Sequence, residues 1–290
     1  MGFISGFKKF YGISEPAPLR ADLDEQGQKK LHRSLALQSF VAGTLGYSLY
    51  YVCRTSLNVM KKPILDSGML DATQLGIIGS ALLFAYAIGK LVNGFIADHC
   101  NIKRFMATGL LVSTLANLTM GFIGLFGSNN DFIGEAMIPS AAVFVIFAIM
   151  WGINGWSQSM GAAPAIIALS RWFPLSKRGT YYGFFSASHN IGEGLSLVFV
   201  GSIVGVAGWQ WGFIGAAIAG ALGILIILLM MHDTPESKGL PSIEILTGEM
   251  AAKKVEKKDG SAGKAQIIAL KSPAVWILAL ASGFMYISRY

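Results

Sequence analysis

Four ionisable residues lie inside long apolar segments of this 290-residue chain and offer its most informative chemistry. They are Arg54, Lys90, His189 and Arg289. A charged side chain at the centre of a bilayer costs about 2.5–3.5 kcal/mol on insertion scales, so such a residue usually lines a polar cavity or pairs with a partner. Basic groups on four segments, with tyrosines nearby, predict a cavity that binds an anion. The pattern is typical of a membrane transporter for a phosphorylated or carboxylated solute.

The segments that carry these residues are predicted to be membrane-spanning helices. Hydrophobic residues make up 53% of the chain and charged residues only 13%, as in polytopic membrane proteins. About 20 mostly apolar residues suffice for a helix to cross the bilayer core. A further apolar segment begins near residue 273 and continues to Tyr290, which suggests a piece of a longer chain. Six segments are complete: 35–58, 73–97, 105–126, 137–169, 180–206 and 212–231.

The basic residues are distributed unevenly between the loops, and they account for most of the net charge of +7. Lysine and arginine are abundant before the first span, in alternate loops and in the segment 232–271. The loops on the opposite side hold only Lys61 and Lys62. This alternation is the positive-inside pattern, and it predicts a cytoplasmic N-terminus. Because the chain has six predicted spans, we exclude a nucleic-acid-binding module as the explanation of its net positive charge.

We therefore predict an all-α polytopic membrane protein in four parts. They are a cytoplasmic lead over 1–34, a six-helix bundle over 35–231, a cytoplasmic linker over 232–271 and the start of a seventh helix over 272–290. Cys53 lies in a span and Cys100 in a polar loop, so we expect no disulfide between them. Neither has neighbours at a metal-ligand spacing, and we expect no metal, no cofactor and no removable signal peptide.

The loop after the second span carries opposite charges close together. Asp98 ends the string Gly94-Phe-Ile-Ala-Asp98, and Lys103 and Arg104 follow it. This string resembles the loop between helices two and three of major facilitator transporters, which are built from two six-helix bundles. The resemblance implies that Asp98, Lys103 and Arg104 act in gating, because a charge cluster can lock one conformation and be released in another.

More narrowly, the chain resembles the organophosphate:phosphate antiporters, the bacterial glycerol-3-phosphate and hexose-6-phosphate carriers. The matching strings follow the family order along nearly the whole chain. They are Gly46-Tyr47…Tyr50-Tyr51-Val-Cys-Arg54, Ala85-Tyr86-Ala-Ile-Gly-Lys90, Gly155-Trp156-Ser-Gln158-Ser-Met-Gly161, Lys177-Arg178-Gly179, Ser188-His189-Asn190-Ile-Gly192, Asp233-Thr-Pro235-Glu-Ser-Lys-Gly239 and Tyr286-Ile-Ser-Arg289-Tyr290.

The resemblance implies a role for each candidate binding residue. Arg54 and Arg289 would hold the substrate phosphate from opposite halves of the protein. An arginine suits that role because its planar fork donates two parallel hydrogen bonds to phosphate oxygens and stays protonated. The remaining positions implied by the family would complete the cavity: His189, Lys90, Tyr47, Tyr51 and Tyr86.

This chain also departs from the family pattern at several positions. Thr55 stands where a lysine is common, Phe185 and Ser186 replace tryptophan and asparagine, and Ala163 precedes Pro164 in place of a proline pair. The most notable difference is Glu193, where the family usually has glycine. Glu193 follows His189 by four residues, on the same helical face. We expect the two side chains to pair when the histidine is protonated, with a possible role in ion coupling.

The resemblance implies an antiporter of the bacterial inner membrane that exchanges an organophosphate for inorganic phosphate. We expect a monomer in the lipid bilayer, and no enzymatic activity because the solute is not chemically changed. Two alternatives remain open. A transporter-like sensor could bind hexose phosphate and signal to a membrane kinase. A proton-coupled symporter of organic anions is suggested by His189 and Glu193, and it would depend on a pH gradient. The sequence does not separate glycerol phosphate from hexose phosphate.

Overall fold

The computed structural model of the protein describes residues 6, 9–20, 22–129, 134–247 and 270–289. Within the last range, the side chains of residues 283 and 286–289 are not described. The chain divides into two compact units, Met1–Glu249 and Met250–Tyr290. The first unit contains the helical bundle, and the second contains one described helix, Pro273–Arg289.

The described residues of the first unit form helices and no strand. A 3₁₀ turn, Glu236–Lys238, follows the bundle. The helix of the second unit, Pro273–Arg289, is α10. The helices of the first unit are α1 (Glu25–Asp66), α2 (Ala72–Ala97), α3 (Ile102–Gly127), α4 (Ser140–Trp172), α5 (Leu175–Ser186), α6 (Ser188–Leu195), α7 (Gly201–Ala207), α8 (Trp209–Met230) and α9 (Ile243–Leu246).

The bundle confirms the prediction of an all-α polytopic membrane protein. Among the described residues, five helical stretches are long and apolar enough to cross a membrane: α2, α3, α4, α8 and the combined stretch Leu175–Ala207. The first predicted span, 35–58, lies inside the 42-residue helix α1. That helix is long enough to cross a bilayer, but its many polar side chains keep it out of this apolar group.

Local capping explains where several helices begin. The Asp24 side chain accepts a hydrogen bond from Gly27 N at 2.8 Å. This N-cap starts α1 at Glu25, well before the predicted boundary at residue 35. Asp71 and Gln74 form a capping box at the start of α2. Capping therefore extends α1 into the part of the chain that the sequence pattern assigned to a polar lead.

The fifth predicted span, 180–206, is not one regular helix. Helix α5 begins at Leu175, directly after Pro174, and ends at Ser186. Helix α6 is followed by a π-helical turn, Ser196–Val200, before α7. Single π-helical turns within α-helices occur often at functional sites. The break between α5 and α6 places His189 in the first turn of a separate short helix.

Glycines allow the helices to approach each other closely, as in other membrane bundles. At the crossing of α4 and α2, a Cβ added to Gly155 would overlap the carbonyl oxygen of Leu82. Apolar side chains of α1, α2, α4 and α8 form the main buried cluster, which includes Leu57, Phe147 and Phe213. The close crossings fix the relative positions of the helices that carry the candidate site.

Candidate functional site

Arg54 lies against two tyrosine rings that come from different helices. Its guanidinium carbon is 4.1 Å from the ring centroid of Tyr86 on α2. The same atom is 5.4 Å from the ring centroid of Tyr51 on α1. A cation within about 6 Å of an aromatic ring face is attracted by the ring quadrupole. These two rings therefore hold the charged end of Arg54 between α1 and α2.

Helical spacing explains why these side chains meet. Tyr47, Tyr51 and Arg54 follow the spacing i, i+4, i+7 along α1, so they share one face. The rings of Tyr47 and Tyr51 are 5.3 Å apart. Tyr86 and Lys90 are also four residues apart on α2, and the Lys90 ammonium nitrogen is 5.3 Å from the Tyr86 ring centroid. The two helices thus present a row of tyrosines with two cations.

His189 reaches the same surface from α6. Its ring centroid is 5.8 Å from that of Tyr51. The approach depends on Gly192, because a Cβ there would lie 2.5 Å from Tyr51 Cβ and would overlap the carbonyl oxygen of Ser48. The structure therefore brings together the predicted binding residues of the first unit. We call this surface the Arg54 face, formed by Tyr47, Tyr51, Arg54, Tyr86, Lys90 and His189.

Among the described residues, no carboxylate lies at ion-pair distance from the positive groups of the Arg54 face. The ion pairs among the described residues are Arg20–Asp22, Lys29–Glu25, Lys62–Asp66 and Arg171–Asp233. None of these pairs includes Arg54, Lys90 or His189. Opposed charges at membrane depth normally cancel each other. A surface that keeps its positive charge is suited to a bound anion.

Glu193 does not form the ion pair with His189 that we expected. Both residues are described and both lie on α6, but no ion pair joins them in this part of the structure. The His189 ring instead packs near Tyr51 on α1. Glu193 is half-buried. The close crossing of α6 on α1 therefore determines the position of the histidine.

Arg289 ends α10 in the second unit, and its side chain lies outside the described residues. Its predicted part in binding phosphate stays a prediction. Its proposed partnership with Arg54 therefore rests on the amino-acid sequence alone. Among the described residues, no group of His, Cys, Asp and Glu side chains could hold a metal ion.

The predicted gating residues lie where α2 ends and α3 begins. Asp98 follows the last residue of α2. Lys103 and Arg104 are in the first turn of α3, and Arg104 Nη1 donates a hydrogen bond to the Phe10 carbonyl at 2.7 Å. The N-terminal segment that contains Phe10 therefore lies against this end of the bundle. The predicted gating role of the three residues stays a prediction.

The centre of charge at this end is Asp233, which the sequence analysis noted only as part of a string. Its buried carboxylate forms an ion pair with Arg171 at the end of α4. It also accepts hydrogen bonds from Ser14 N at 2.7 Å and Ile102 N at 3.0 Å. One carboxylate thus joins the N-terminal segment, α3, α4 and the chain after α8. Two features of the sequence could have indicated this ion pair. An acidic residue follows the sixth predicted span, and an arginine lies just after the fourth.

Five apolar helical stretches of membrane-spanning length among the described residues, with a cationic face between helices, form an architecture that membrane transport proteins use. The sequence matches the Major Facilitator Superfamily over residues 43–288, and the chain belongs to that superfamily. This match confirms the predicted fold class, and the relatives described next confirm the resemblance to organophosphate carriers.

Curated relatives of the chain carry organophosphates. It is 32% identical to a probable hexose phosphate transport protein of Chlamydia pneumoniae, over 94% of this chain and 59% of the relative. It is 31% identical to the glycerol-3-phosphate transporter of Bacillus subtilis, over 96% of this chain and 60% of the relative. It is 29% identical to the hexose-6-phosphate:phosphate antiporter of Escherichia coli K12, over 92% of this chain and 57% of the relative. The chain therefore spans less than two thirds of the length of these relatives.

Proposed function

We propose that the full-length protein is an antiporter that exchanges an organophosphate, glycerol-3-phosphate or a hexose phosphate, for inorganic phosphate. The observation that carries the proposal is the position of Arg54. Its guanidinium is held by the rings of Tyr51 and Tyr86 and has no carboxylate at ion-pair distance among the described residues. Relatives named for hexose phosphate and glycerol-3-phosphate transport support the choice of solute.

Arg54 can bind phosphate through two parallel charge-assisted hydrogen bonds. The rings of Tyr51 and Tyr86 contact the guanidinium without neutralising its charge, so Arg54 can still attract an anion. Lys90 adds positive potential, and a His189 ring N–H and tyrosine hydroxyls can donate hydrogen bonds to phosphate oxygens. Arg289 would contribute the second arginine from the other half of the protein. Because Arg54 and Lys90 form no ion pair among the described residues, an anion is the favoured occupant of the site.

Transport would proceed by alternating access, in which two six-helix halves rock around a site near the middle of the membrane. The solute is released chemically unchanged, so no enzymatic step is required. The Arg171–Asp233 ion pair and its hydrogen bonds lie at the same end of the bundle as Asp98, Lys103 and Arg104. We propose that the charge cluster of Asp98, Lys103 and Arg104 stabilises one conformation of the transport cycle.

We further propose that the protein lies in the bacterial inner membrane with its N-terminus in the cytoplasm. The support is the abundance of lysine and arginine in the segments on that side. Labelling of single-cysteine variants tests the orientation in intact cells. Position 177 should be protected from an impermeant thiol reagent, and position 129 should react with it. The reverse pattern would overturn the orientation.

Counterflow in proteoliposomes that contain the full-length protein tests the proposed activity. The vesicles are loaded with inorganic phosphate and offered labelled glycerol-3-phosphate or glucose-6-phosphate. We expect accumulation of one of these solutes that requires internal phosphate and persists without a pH gradient. Binding without accumulation would indicate a sensor. Uptake that follows a pH gradient and ignores internal phosphate would indicate a proton-coupled symporter.

A further inference from the structure

Arg54 is preceded by a residue that is anchored on three other helices. The carbonyl oxygen of Cys53 accepts a hydrogen bond from Asn117 Nδ2 on α3 at 3.0 Å. It accepts another from Asn154 Nδ2 on α4 at 3.2 Å. The Cys53 thiol lies 3.3 Å from the Ala216 carbonyl oxygen on α8 and can donate to it. Residue 53 is therefore the point at which α3, α4 and α8 all bind α1.

These contacts belong to a larger polar network in the core of an apolar bundle. The side chains in this network are buried, and each forms a hydrogen bond with another member. Asn117 Nδ2 also donates to the Ser113 carbonyl, and Ser56 Oγ donates to Asn117 Oδ1 at 2.8 Å. Ser113 Oγ donates to Asn154 Oδ1 at 2.5 Å, and Gln158 Nε2 donates to Ser113 Oγ at 2.8 Å. A network of hydrogen bonds that links buried side chains of several helices stiffens its surroundings.

The anchored carbonyl belongs to the peptide group that joins Cys53 to Arg54. A peptide group is planar, so its oxygen, the Arg54 nitrogen and the Arg54 Cα lie in one plane. Two amide donors that hold the oxygen therefore help to fix the position of the Arg54 Cα, and the helical backbone of α1 then sets the direction of the Arg54 side chain. We propose that Asn117 and Asn154 are positioning residues for phosphate binding, which act on Arg54 through the backbone and do not touch the ligand.

This inference rests on the proposed function, because it assumes that Arg54 binds phosphate. The matched control is a second buried amide, Gln210 on α8. Its Nε2 donates to Ser128 Oγ, which follows the end of α3, at 2.5 Å. Removing Gln210 deletes a buried hydrogen bond of similar kind but leaves the hydrogen bonds from Asn117 and Asn154 to the Cys53 carbonyl in place. Any general loss of stability should appear in this control as well.

The test measures the dissociation constant of inorganic phosphate and the melting temperature of the purified full-length protein. We expect Asn117→Ala and Asn154→Ala each to weaken phosphate binding by about tenfold, because a small misplacement of a binding group is costly. Gln210→Ala should lower the melting temperature to a similar extent without changing phosphate affinity. Asn117→Ser and Asn154→Ser serve the same comparison if an alanine variant does not accumulate.

A double-mutant cycle separates the possible failures. In an Arg54→Ala background, Asn117→Ala should produce no further loss of phosphate affinity. An equal loss in both backgrounds would overturn the positioning role while leaving Arg54 as the binding residue. If Arg54→Ala itself leaves phosphate affinity unchanged, the proposed function fails. Equal weakening of phosphate binding by Gln210→Ala would also overturn the positioning role, because the effect would then be a general one.

Discussion

At the scale of single residues, the central arrangement is an arginine held by aromatic rings without a carboxylate. Rings orient a guanidinium but do not neutralise its charge. Arg54 can therefore be fixed by Tyr51 and Tyr86 and still attract a ligand. The carboxylate of Glu193 on α6 could weaken this attraction, but it forms no ion pair among the described residues.

The first prediction concerns Glu193. Because it forms no ion pair with His189 in the structure, we expect Glu193→Gly to leave the pH profile of phosphate exchange unchanged. The measurement is exchange of labelled phosphate in proteoliposomes between about pH 5.5 and 8.5, a range that brackets histidine titration. A profile displaced towards lower pH in the variant would show that Glu193 holds a proton on His189 during the cycle.

At the scale of helices, the site depends on how closely α6 crosses α1. Gly192 is the contact point, and any side chain there would meet the Ser48 carbonyl and Tyr51. The crossing places His189 beside Tyr51. A helix kept slightly further away would leave Arg54 and Tyr86 in place but would remove the histidine from the Arg54 face.

The second prediction follows from this crossing. We expect Gly192→Ala to destabilise the protein by about 1–3 kcal/mol, as overpacking commonly does, and to weaken phosphate binding. Gly194→Ala is the matched control on the same helix, because a Cβ at Gly194 would meet nothing within 4 Å. Thermal unfolding and phosphate titration of the two variants check the prediction. It would be refuted by equal effects of the two substitutions.

The helix spacing made part of the Arg54 face predictable from sequence. Tyr47, Tyr51 and Arg54 had to share a face if α1 was regular, and so did Tyr86 and Lys90. The break between α5 and α6 was not predictable, because an apolar run of that length fits one continuous helix equally well. The anchoring of Cys53 by Asn117 and Asn154 was also missed, since its partners come from other helices and periodicity carries no such information.

At the scale of the whole molecule, one end of the bundle is tied together by the chain segments before and after it. Asp233 binds Ser14 and Arg171. The Trp172 indole nitrogen donates to the His232 carbonyl at 3.0 Å. The N-terminal segment continues alongside the linker, where Ala17 N donates to the Glu236 carbonyl at 2.9 Å. The sequence predicted these segments only as a cytoplasmic lead and a cytoplasmic linker, because their polarity gave no sign of the pairings.

The third prediction concerns the Asp233 carboxylate. We expect Asp233→Asn to lower the stability of the protein by about 3–5 kcal/mol, the usual effect of leaving one partner of a buried ion pair uncompensated. The control is Asp66→Asn, which removes an exposed pair with Lys62 and should cost less than about 1 kcal/mol. Melting temperatures of the two variants provide the comparison. Similar melting temperatures would mean that Asp233 contributes no more than a surface charge.

The fourth prediction concerns His232, which follows α8 at the same end. Burial, reinforced by Lys238 and Lys103, lowers the pKa of His232 from 6.5 to about 4. The unfolded chain therefore takes up a proton at a higher pH than the folded protein does. Stability contributed by the neutral histidine is complete above pH 6.5 and decreases as the pH falls towards 4.

Replacing His232 tests this dependence directly. His232→Gln should reduce the loss of melting temperature on acidification through this range. His99→Gln is the control, because His99 is exposed. An unchanged pH dependence in His232→Gln would contradict the prediction.

The central claim is that Arg54 binds the transported phosphate through its planar fork. Arg54→Lys tests it most directly, because lysine keeps the charge but cannot donate two parallel hydrogen bonds. In proteoliposomes of the full-length protein, the variant should lose phosphate exchange by about 10- to 100-fold, the range expected for charged hydrogen bonds of about 1.5–3 kcal/mol. Arg33→Lys, an exposed change on the same helix, should retain it. Exchange by Arg54→Lys at the wild-type rate and level of protein would contradict the account.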